Sequence, residues 1–458
     1  MLAADLCHQA RLARDARYDG VFFTAVHSTG IYCRPICPAR APAERHVSYF
    51  ASAAAASAAG FRPCLRCRPD SAPGSPAWLG KHTTLQRAIR LIDEGGLQQQ
   101  TQQQLAERLG VSERYLRKLF QQHLGIAPKQ YALCQQILFA KKLLHETQLP
   151  ITAVAYQAGF NSVRRFNDAF LQQVKLCPTA IRRRHSTNSD TLQLTLSYRP
   201  PLAWQQLLTF WRARTLDGVD WVHGNGYGRS FCFNGQRGWF EVTPGTGDNL
   251  LLSLCWPGTQ GLLNLVKKIR QLLDLDANIL QIEQSLSASP LFDSGLHSGL
   301  RIPGVWDSWE AGVRAVLGQQ VSVAGARTQL NRLVLALGEP LDNQHRLFPT
   351  PQAVFGSDLN MIKVPQARRD TLKALAQRVL STPDADPEQW LTIKGIGRWT
   401  VSYAKLRGLG DSDIWLAGDL GIKKALKKAD QDTQAFDHQS LAPWRSYATL
   451  QLWFSLAS

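Results

Sequence analysis

No run of about 18 apolar residues occurs anywhere in the 458-residue chain, so no membrane-spanning helix and no membrane partner is expected. The opening stretch Met1 to Ala16 mixes charged and apolar side chains and has no apolar core, so no secretory signal peptide is expected either. A disulfide framework is also lacking. The nine cysteines are odd in number, four of them lie between Cys33 and Cys67, and Cys7, Cys134, Cys177, Cys232 and Cys255 are scattered singly. That distribution suits a reducing compartment and a metal site, and a cytoplasmic location is expected. Acidic residues are scarce: 35 Asp and Glu stand against 52 Lys and Arg, a net charge of +17. The imbalance is concentrated in residues 1–185, with 25 basic against 11 acidic residues; the remainder holds 27 against 24. A basic first half joined to a near-neutral second half fits a nucleic-acid partner for the first.

Length suggests about three domains, each large enough for its own core. Pro69 to Gly80 (PDSAPGSPAWLG) reads as a linker. From Thr83 to Arg184 apolar residues recur at helical spacing. His185 to Asp190 is a second polar linker, after which Thr191 to Tyr198 alternates as a strand with one wet face does. Arg229–Phe233, Gly238–Thr243 and Asn249–Cys255 add strand-like runs, Gly261–Leu275 interposes a helix, and the pattern is helical again from Trp306. The expected fold class is multidomain and mainly α with α+β modules: a small zinc-bound domain (1–72), a double helix-turn-helix (81–185), a small α+β module (190–302) and a helix-hairpin-helix domain (303–458).

Cys33-Arg-Pro-Ile-Cys37 is followed, after 26 intervening residues, by Cys64-Leu-Arg-Cys67. Two close pairs separated by a loop offer two sulfurs each to one tetrahedral ion, the spacing of a four-thiolate zinc site. Such a site often only staples a small domain. Four thiolates around one zinc ion nevertheless leave two net negative charges, and an unprotonated, electron-rich sulfur can attack an electrophilic methyl group. Residues 18–70 resemble the N-terminal module of the Ada family through Thr29-Gly-Ile-Tyr-Cys33-Arg-Pro-Ile-Cys37, Val47-Ser-Tyr-Phe50 and Gly60-Phe-Arg-Pro-Cys64-Leu-Arg-Cys67-Arg-Pro-Asp70. The resemblance implies that Cys33 accepts a methyl group from a DNA methylphosphotriester, that Cys37, Cys64 and Cys67 complete the zinc shell, and that Thr29 and Arg40 meet the DNA backbone. Methylation of one sulfur would remove a negative charge beside the phosphates, so DNA affinity should rise.

Leu105 to Phe120 reads as helix, Gly-containing turn, helix, with Ser112 as N-cap and Arg114, Arg117 and Lys118 on the exposed face. A second copy runs from Ile151 to Phe170, with Arg164 and Arg165 in the corresponding place. Two such units on a connecting helix (Pro128 to His145) would present recognition helices to successive major grooves. The spacing resembles the AraC family, including Ala158-Gly-Phe-Asn-Ser162 and Pro178-Thr-Ala-Ile-Arg182. Gln136 stands where that family commonly has Arg. The resemblance implies promoter binding, with RNA polymerase as a candidate partner.

Leu391 to Ala404 (LTIKGIGRWTVSYA) reads as helix, Gly-x-Gly hairpin, helix. Gly395 and Gly397 would let backbone amides approach a phosphate at a helix N-terminus, and a monovalent cation at the hairpin is a further candidate ligand. Twenty residues after Trp399 comes Asp419, which by itself reads as a helix N-cap. Hairpin, gap and Asp together resemble the helix-hairpin-helix DNA glycosylases, in particular the AlkA-type 3-methyladenine glycosylase II; Gly312–Ala324 and Pro443–Ala448 extend the match, which covers about Thr191 to Ser458 and includes the α+β module. The resemblance implies that Asp419 stabilises the cationic sugar or activates water, that Trp399 and Trp453 are aromatic walls for a flipped base, and that Gln320 is the wedge filling the vacated space. Bifunctional relatives carry Lys at the position of Trp399. Trp cannot form a Schiff base, so a monofunctional enzyme is expected. Ala417-Gly418 and Leu420 flank Asp419, and Lys394 stands in the hairpin, where the family carries other residues. No Pro-Cys-His-Arg segment is present, so no O6-alkylguanine methyltransferase is expected. The joined reading is sensor, activator and repair enzyme in one chain. A regulator with an inactive glycosylase domain, and a glycosylase with an inert zinc anchor, are the two rivals.

Overall fold

The computed structural model describes residues 3–15, 18–19, 21–39, 41–51, 55–56, 59–64, 67, 83–182, 191–383, 385–428 and 436–456. Arg40 and the two linkers at 69–80 and 185–190 lie outside the described residues. The chain forms two compact units, one of Met1–Tyr198 with Gly258–Ile269 and Asp276–Asn278, the other of Arg199–Pro257, Arg270–Leu275 and Ile279–Ser458.

The first unit begins with helix Ala4–Leu12 and a four-stranded sheet in the order β3-β1-β2-β4, where β1 is Phe23–Val26, β2 Ile31–Cys33, β3 Val47–Phe50 and β4 Arg62–Pro63. Gly30, at φ +63°, turns β1 into antiparallel β2; a residue with a Cβ is strained there. β2 and β4 run parallel, with Tyr32 opposite Pro63. Phe23, Ala25, Tyr32 and Phe61 form the small core beneath.

Thr83–Ile181 is helical throughout, in eight helices among the described residues. Its two helix-turn-helix units are near copies. Gln102–Arg108 and Glu113–Leu124 turn at Gly110 (φ +70°), and Ile151–Gln157 and Val163–Val174 turn at Gly159 (φ +89°). Ser112 and Ser162 cap the second helix of each pair, accepting from the amides of Tyr115 and Arg165. Leu116, Leu119 and Phe120 are buried in the first copy, and Phe166, Ala169 and Phe170 fifty positions later in the second. Identical spacing turns the same faces outward. Helix Pro128–Glu146 joins the pairs. Gln136, on that helix, donates to the Gly159 carbonyl at 2.7 Å, so it braces the second turn. Strand β5 (Leu192–Ser197) follows.

In the second unit β6 (Asp220–His223), β7 (Gly226–Phe233), β8 (Gln236–Pro244) and β9 (Asn249–Cys255) form an antiparallel meander. The β7–β8 hairpin turns on Asn234-Gly235, both at positive φ, the geometry that a two-residue hairpin favours. Strand β6 and helix Trp204–Arg212 were not evident from periodicity. The helical part packs Ser308–Gly318, Val323–Leu337, Gln366–Ser381 and Arg398–Leu409 around Leu317, Leu333, Leu375, Trp390 and Val401. Gly408 lets its helix approach the backbone at Ser308: an added Cβ would lie 2.6 Å from the Ser308 Cα. Four charges are buried beside this core. Arg229 donates to Glu310 at 2.8 Å, Arg314 donates to Glu310 at 2.9 Å, and Arg314 reaches Asp220 at 3.4 Å. The network fixes helix Ser308–Gly318, whose C-terminal end leads into Gln319 and Gln320.

Candidate metal centre, nucleic-acid interface and active site

Cys33 ends β2, Cys64 follows β4, and the parallel pairing brings the two cysteine pairs together; the Cys64 amide donates to the Tyr32 carbonyl at 2.9 Å. All four sulfurs lie within 4.8 Å of one another. A tetrahedral zinc with about 2.3 Å bonds sets its sulfurs about 3.8 Å apart, so the four fit one ion. Arg34, inside the first pair, forms a bidentate ion pair with the buried Asp19, and its amide donates to the Cys67 sulfur at 3.4 Å. That pair holds the Cys33–Cys37 turn in place, and nothing in the sequence pointed to Asp19. Cys64 and Cys67 are buried, whereas Cys33 and Cys37 are partly exposed. Thr29 is exposed on the β1–β2 turn, its hydroxyl 3.4 Å from the Val26 carbonyl.

Arg114, Arg117 and Lys118 are exposed on the first recognition helix, and Arg164 and Arg165 on the second. Arg117 makes an exposed ion pair with Glu113 at 2.9 Å, which a phosphate would have to displace. The described residues thus keep all five candidate cations on the solvent side of their helices.

The hairpin is a 3-10 turn (Pro387–Thr392) leading through Gly395 and Gly397 into helix Arg398–Leu409, so its first arm is tighter than the expected helix. Gly395 is at φ +91°, and a Cβ there would lie 2.3 Å from the Thr371 hydroxyl. Gly397 has open space where a Cβ would be, and it caps the helix. Both glycines are exposed, and among the described residues neither amide has a protein acceptor. Amides of that kind at a helix N-terminus suit an anion. The Lys394 and Gly395 carbonyls accept hydrogen bonds from Thr371 (2.9 Å) and Gln319 (3.0 Å).

Gln319 also donates to the Thr400 hydroxyl at 3.0 Å, and its carbonyl accepts from Arg368 at 3.0 Å. The turn after helix Ser308–Gly318 is therefore tied to the hairpin. Gln320 stands beyond it, exposed and at φ +57°. Val321 and Val323 are exposed beside it, an apolar edge that single-residue patterning did not reveal.

Asp419 is half-buried. Its Oδ1 accepts from the amides of Gly421 (2.9 Å) and Ile422 (3.1 Å), capping helix Leu420–Lys428. The same oxygen accepts from the indole N–H of Trp453 at 3.0 Å, and Oδ2 accepts from the indole N–H of Trp399 at 3.1 Å. Asp419 is thus both a helix cap and the meeting point of the two tryptophans. The sequence placed those tryptophans as walls; the structure adds that their N–H edges hold the carboxylate. Gly421 makes room, since a Cβ there would meet Asp419 Oδ1 at 3.0 Å and the Trp453 ring at 3.1 Å. Trp399 stacks on Tyr403, with ring centroids 5.4 Å apart, and Trp453 stacks on Phe210 at 6.3 Å. Arg214 lies over Phe210, its guanidinium carbon 3.7 Å from the ring centroid, and Arg407 lies 4.9 Å from the same centroid. Burial pushes the Arg214 pKa down to about 10.

A four-thiolate centre, two helix-turn-helix units and a hairpin beside a tryptophan-held carboxylate define a modular DNA-processing protein. Residues 6–70 match the metal binding domain of Ada, residues 105–184 a helix-turn-helix domain, and residues 193–307 the AlkA N-terminal domain. The chain is 36% identical to the probable bifunctional transcriptional activator/DNA repair enzyme AlkA of Mycobacterium tuberculosis, over 98% of this chain and 96% of the relative. It is 33% identical to the DNA-3-methyladenine glycosylase 2 of Escherichia coli, over 57% of this chain and 96% of the relative. With the bifunctional transcriptional activator/DNA repair enzyme Ada of Escherichia coli it shares 40% identity over 35% of this chain and 43% of the relative. The chain belongs to the family of bifunctional transcriptional activator/DNA repair enzymes in which an Ada-type metal-binding module and a helix-turn-helix domain precede an AlkA-type glycosylase.

Proposed function

We propose that the chain is a cytoplasmic alkylation-response protein that releases alkylated purines such as 3-methyladenine from DNA by hydrolysis at Asp419, and that registers methylated phosphates at Cys33. The observation that carries the first part is the carboxylate of Asp419 held by four donors. Two amides and two indole N–H groups keep it aimed, with no rearrangement needed when charge develops. As the C1′–N bond breaks, both electrons leave with the base and the sugar becomes positive. The fixed carboxylate stabilises that charge, and water then adds its oxygen to C1′ and gives up one proton to solvent. Trp399 and Trp453 flank the same carboxylate, so a flipped base stacked between them would place its glycosidic bond there. Gln320, held out by Gln319, would occupy the gap left in the duplex, while the amides of Gly395 and Gly397 take a phosphate.

In the N-terminal module Cys33 combines exposure with membership of the sulfur cluster. Bound zinc would keep the thiols deprotonated near neutral pH. The Cys33 sulfur attacks the methyl carbon of a phosphotriester, the C–O bond breaks, and the phosphodiester leaves as an anion. The thiolate becomes a neutral thioether, which lowers the negative charge next to the phosphate backbone. Thr29 and Arg40 are the backbone-contact candidates. Arg114, Arg117, Lys118, Arg164 and Arg165 would then anchor the two helix-turn-helix units on promoter DNA, with RNA polymerase as the partner of an activator. DNA carrying isotopically labelled methyl groups tests both halves at once. Label should remain on the protein in a Cys33-dependent manner, and labelled base should be freed in an Asp419-dependent manner. Absence of either dependence overturns the corresponding half.

A further inference from the structure

Helix Leu420–Lys428 starts at Asp419, which caps it, and buries Ile422, Ala425 and Leu426. Its outward side carries Leu420, Lys423, Lys424, Lys427 and Lys428, all exposed. Residues 186–458 are close to neutral and hold ten lysines, yet four of the ten stand in this one nine-residue helix, with no acidic residue among them. Lysines four apart, Lys423 with Lys427 and Lys424 with Lys428, repel each other and weaken the helix that carries them. Other cations of the second unit are paired with carboxylates, Arg237 with Glu339, Lys405 with Glu388 and Arg445 with Asp413. Among the described residues Lys423, Lys424 and Lys427 have no such partner, and Lys428 donates to the Ser455 carbonyl at 3.1 Å. A stripe of one sign, set against its own repulsion, suits an extended anionic partner.

We infer that Lys423, Lys424 and Lys427 form a phosphate-binding rail that grips the backbone of the lesion-bearing strand beside the extruded nucleotide. The inference rests on the reading that Asp419 cleaves the glycosidic bond. With C1′ against Asp419, the strand entering and leaving that nucleotide passes close to the helix that Asp419 caps. At a rise of about 1.5 Å per residue, Lys423 stands ~6 Å and Lys427 ~12 Å along the axis from Asp419. One strand presents a phosphate about every 3.4 Å of duplex axis, so about two to three phosphates fall within that span. Each ammonium is a point charge on a flexible stem, which suits phosphates that shift as a nucleotide swings out. The placement also answers a local conflict. The Asp419 carboxylate repels the phosphates on either side of the nucleotide it acts on, and the lysines offset that repulsion. Contacts of this kind go to the backbone, so the rail holds the lesion strand whatever its sequence.

The test uses the full-length protein and a short duplex carrying one 7-methylguanine, with base release followed at subsaturating protein in about 0.05 M and about 0.2 M salt. Lys423→Gln, Lys424→Gln and Lys427→Gln are combined in one variant, and arginine replaces the same three lysines in a second. Each phosphate contact adds about 0.9 to the slope of log rate constant against log salt. For two to three contacts, the ratio of parent to glutamine-variant rate constants should shrink by about 10- to 40-fold over this roughly fourfold rise in salt. The arginine variant keeps the charges and should stay within about threefold of the parent at both concentrations. Contacts made by the first unit are common to all three proteins and cancel in the ratio. A ratio that is the same in both salt concentrations would mean that the lysines form an ordinary solvated face and would overturn the inference. An arginine variant as impaired as the glutamine variant would overturn it too. Absence of base release by the parent would instead remove the Asp419 reading, and the inference with it.

Discussion

Glu310→Gln is the substitution whose cost the structure sets most directly. Glu310 is 1% exposed and holds two guanidiniums, Arg229 at 2.8 Å and Arg314 at 2.9 Å. Burial by itself would push its pKa up; Arg229 and Arg314 override that and hold it at about 2. An unfolded Glu titrates near about 4.3. A depression of roughly two units is worth about 3 kcal/mol in the second unit. Because the folded value is the lower of the two, this contribution is complete above about pH 4.3 and disappears as pH falls toward 2. Glutamine keeps the shape but leaves the buried Arg229 without its only carboxylate partner among the described residues, so the loss at pH 7 should be on the order of 3–5 kcal/mol. Urea unfolding followed by tryptophan fluorescence measures it; the transition that zinc chelation does not move reports on the second unit. The variant should also lose less stability than the parent between pH 4.5 and pH 3. A loss below about 1 kcal/mol, or parallel pH profiles, would refute the idea that this ion cluster anchors helix Ser308–Gly318.

Trp399→Phe keeps an aromatic wall but removes the N–H on Asp419 Oδ2; base release should fall by about tenfold or more with little change in DNA affinity, which single-turnover kinetics and gel-shift titration separate. Gly395→Ala forces a Cβ to 2.3 Å from the Thr371 hydroxyl at φ +91°, so affinity for abasic-site DNA should drop, and Thr371→Ala should not recover it fully because the backbone strain remains; full recovery would show that only the clash mattered. Arg34→Ala removes the clamp on Asp19, and zinc should be released at a lower chelator concentration than from the parent. An unchanged release midpoint would show that the four cysteines hold their geometry unaided.

Much of the chemistry was legible because it was local. Cys-x3-Cys and Cys-x2-Cys announce a tetrahedral sulfur site, and Ser112 and Ser162 announce caps, within a few residues each. Asp419 was legible through its offset from Trp399, although its role as a helix cap and its role as a candidate catalyst proved compatible. What stayed hidden depends on residues far apart in the chain. Phe210, which stacks on the Trp453 ring, lies some two hundred positions before Asp419, on a helix that periodicity did not reveal. Asp19 and Glu310 look like ordinary surface acids until their arginine partners are placed. Segment Gly258–Ile269 belongs by sequence to the α+β module, yet it packs in the first unit: Lys267 pairs with Asp93, and the Gln157 side chain donates to the Gly258 carbonyl at 2.7 Å and accepts from the Leu262 amide at 3.2 Å. No local pattern marks this assignment, because an amphipathic helix does not name the neighbour that buries it.

The central claim is that Asp419 cleaves the glycosidic bond, and base release from methylated duplex by the full-length chain and its Asp419→Asn variant tests it most directly. Asparagine can still accept from the Gly421 and Ile422 amides, so the helix stays capped and the fold is retained, but the charge is gone and its amide would meet the Trp399 N–H donor against donor. The parent should free alkylated purines and leave intact abasic sites, and the variant should be slower by about two orders of magnitude or more. Equal release by the two proteins, or none by the parent, would contradict it.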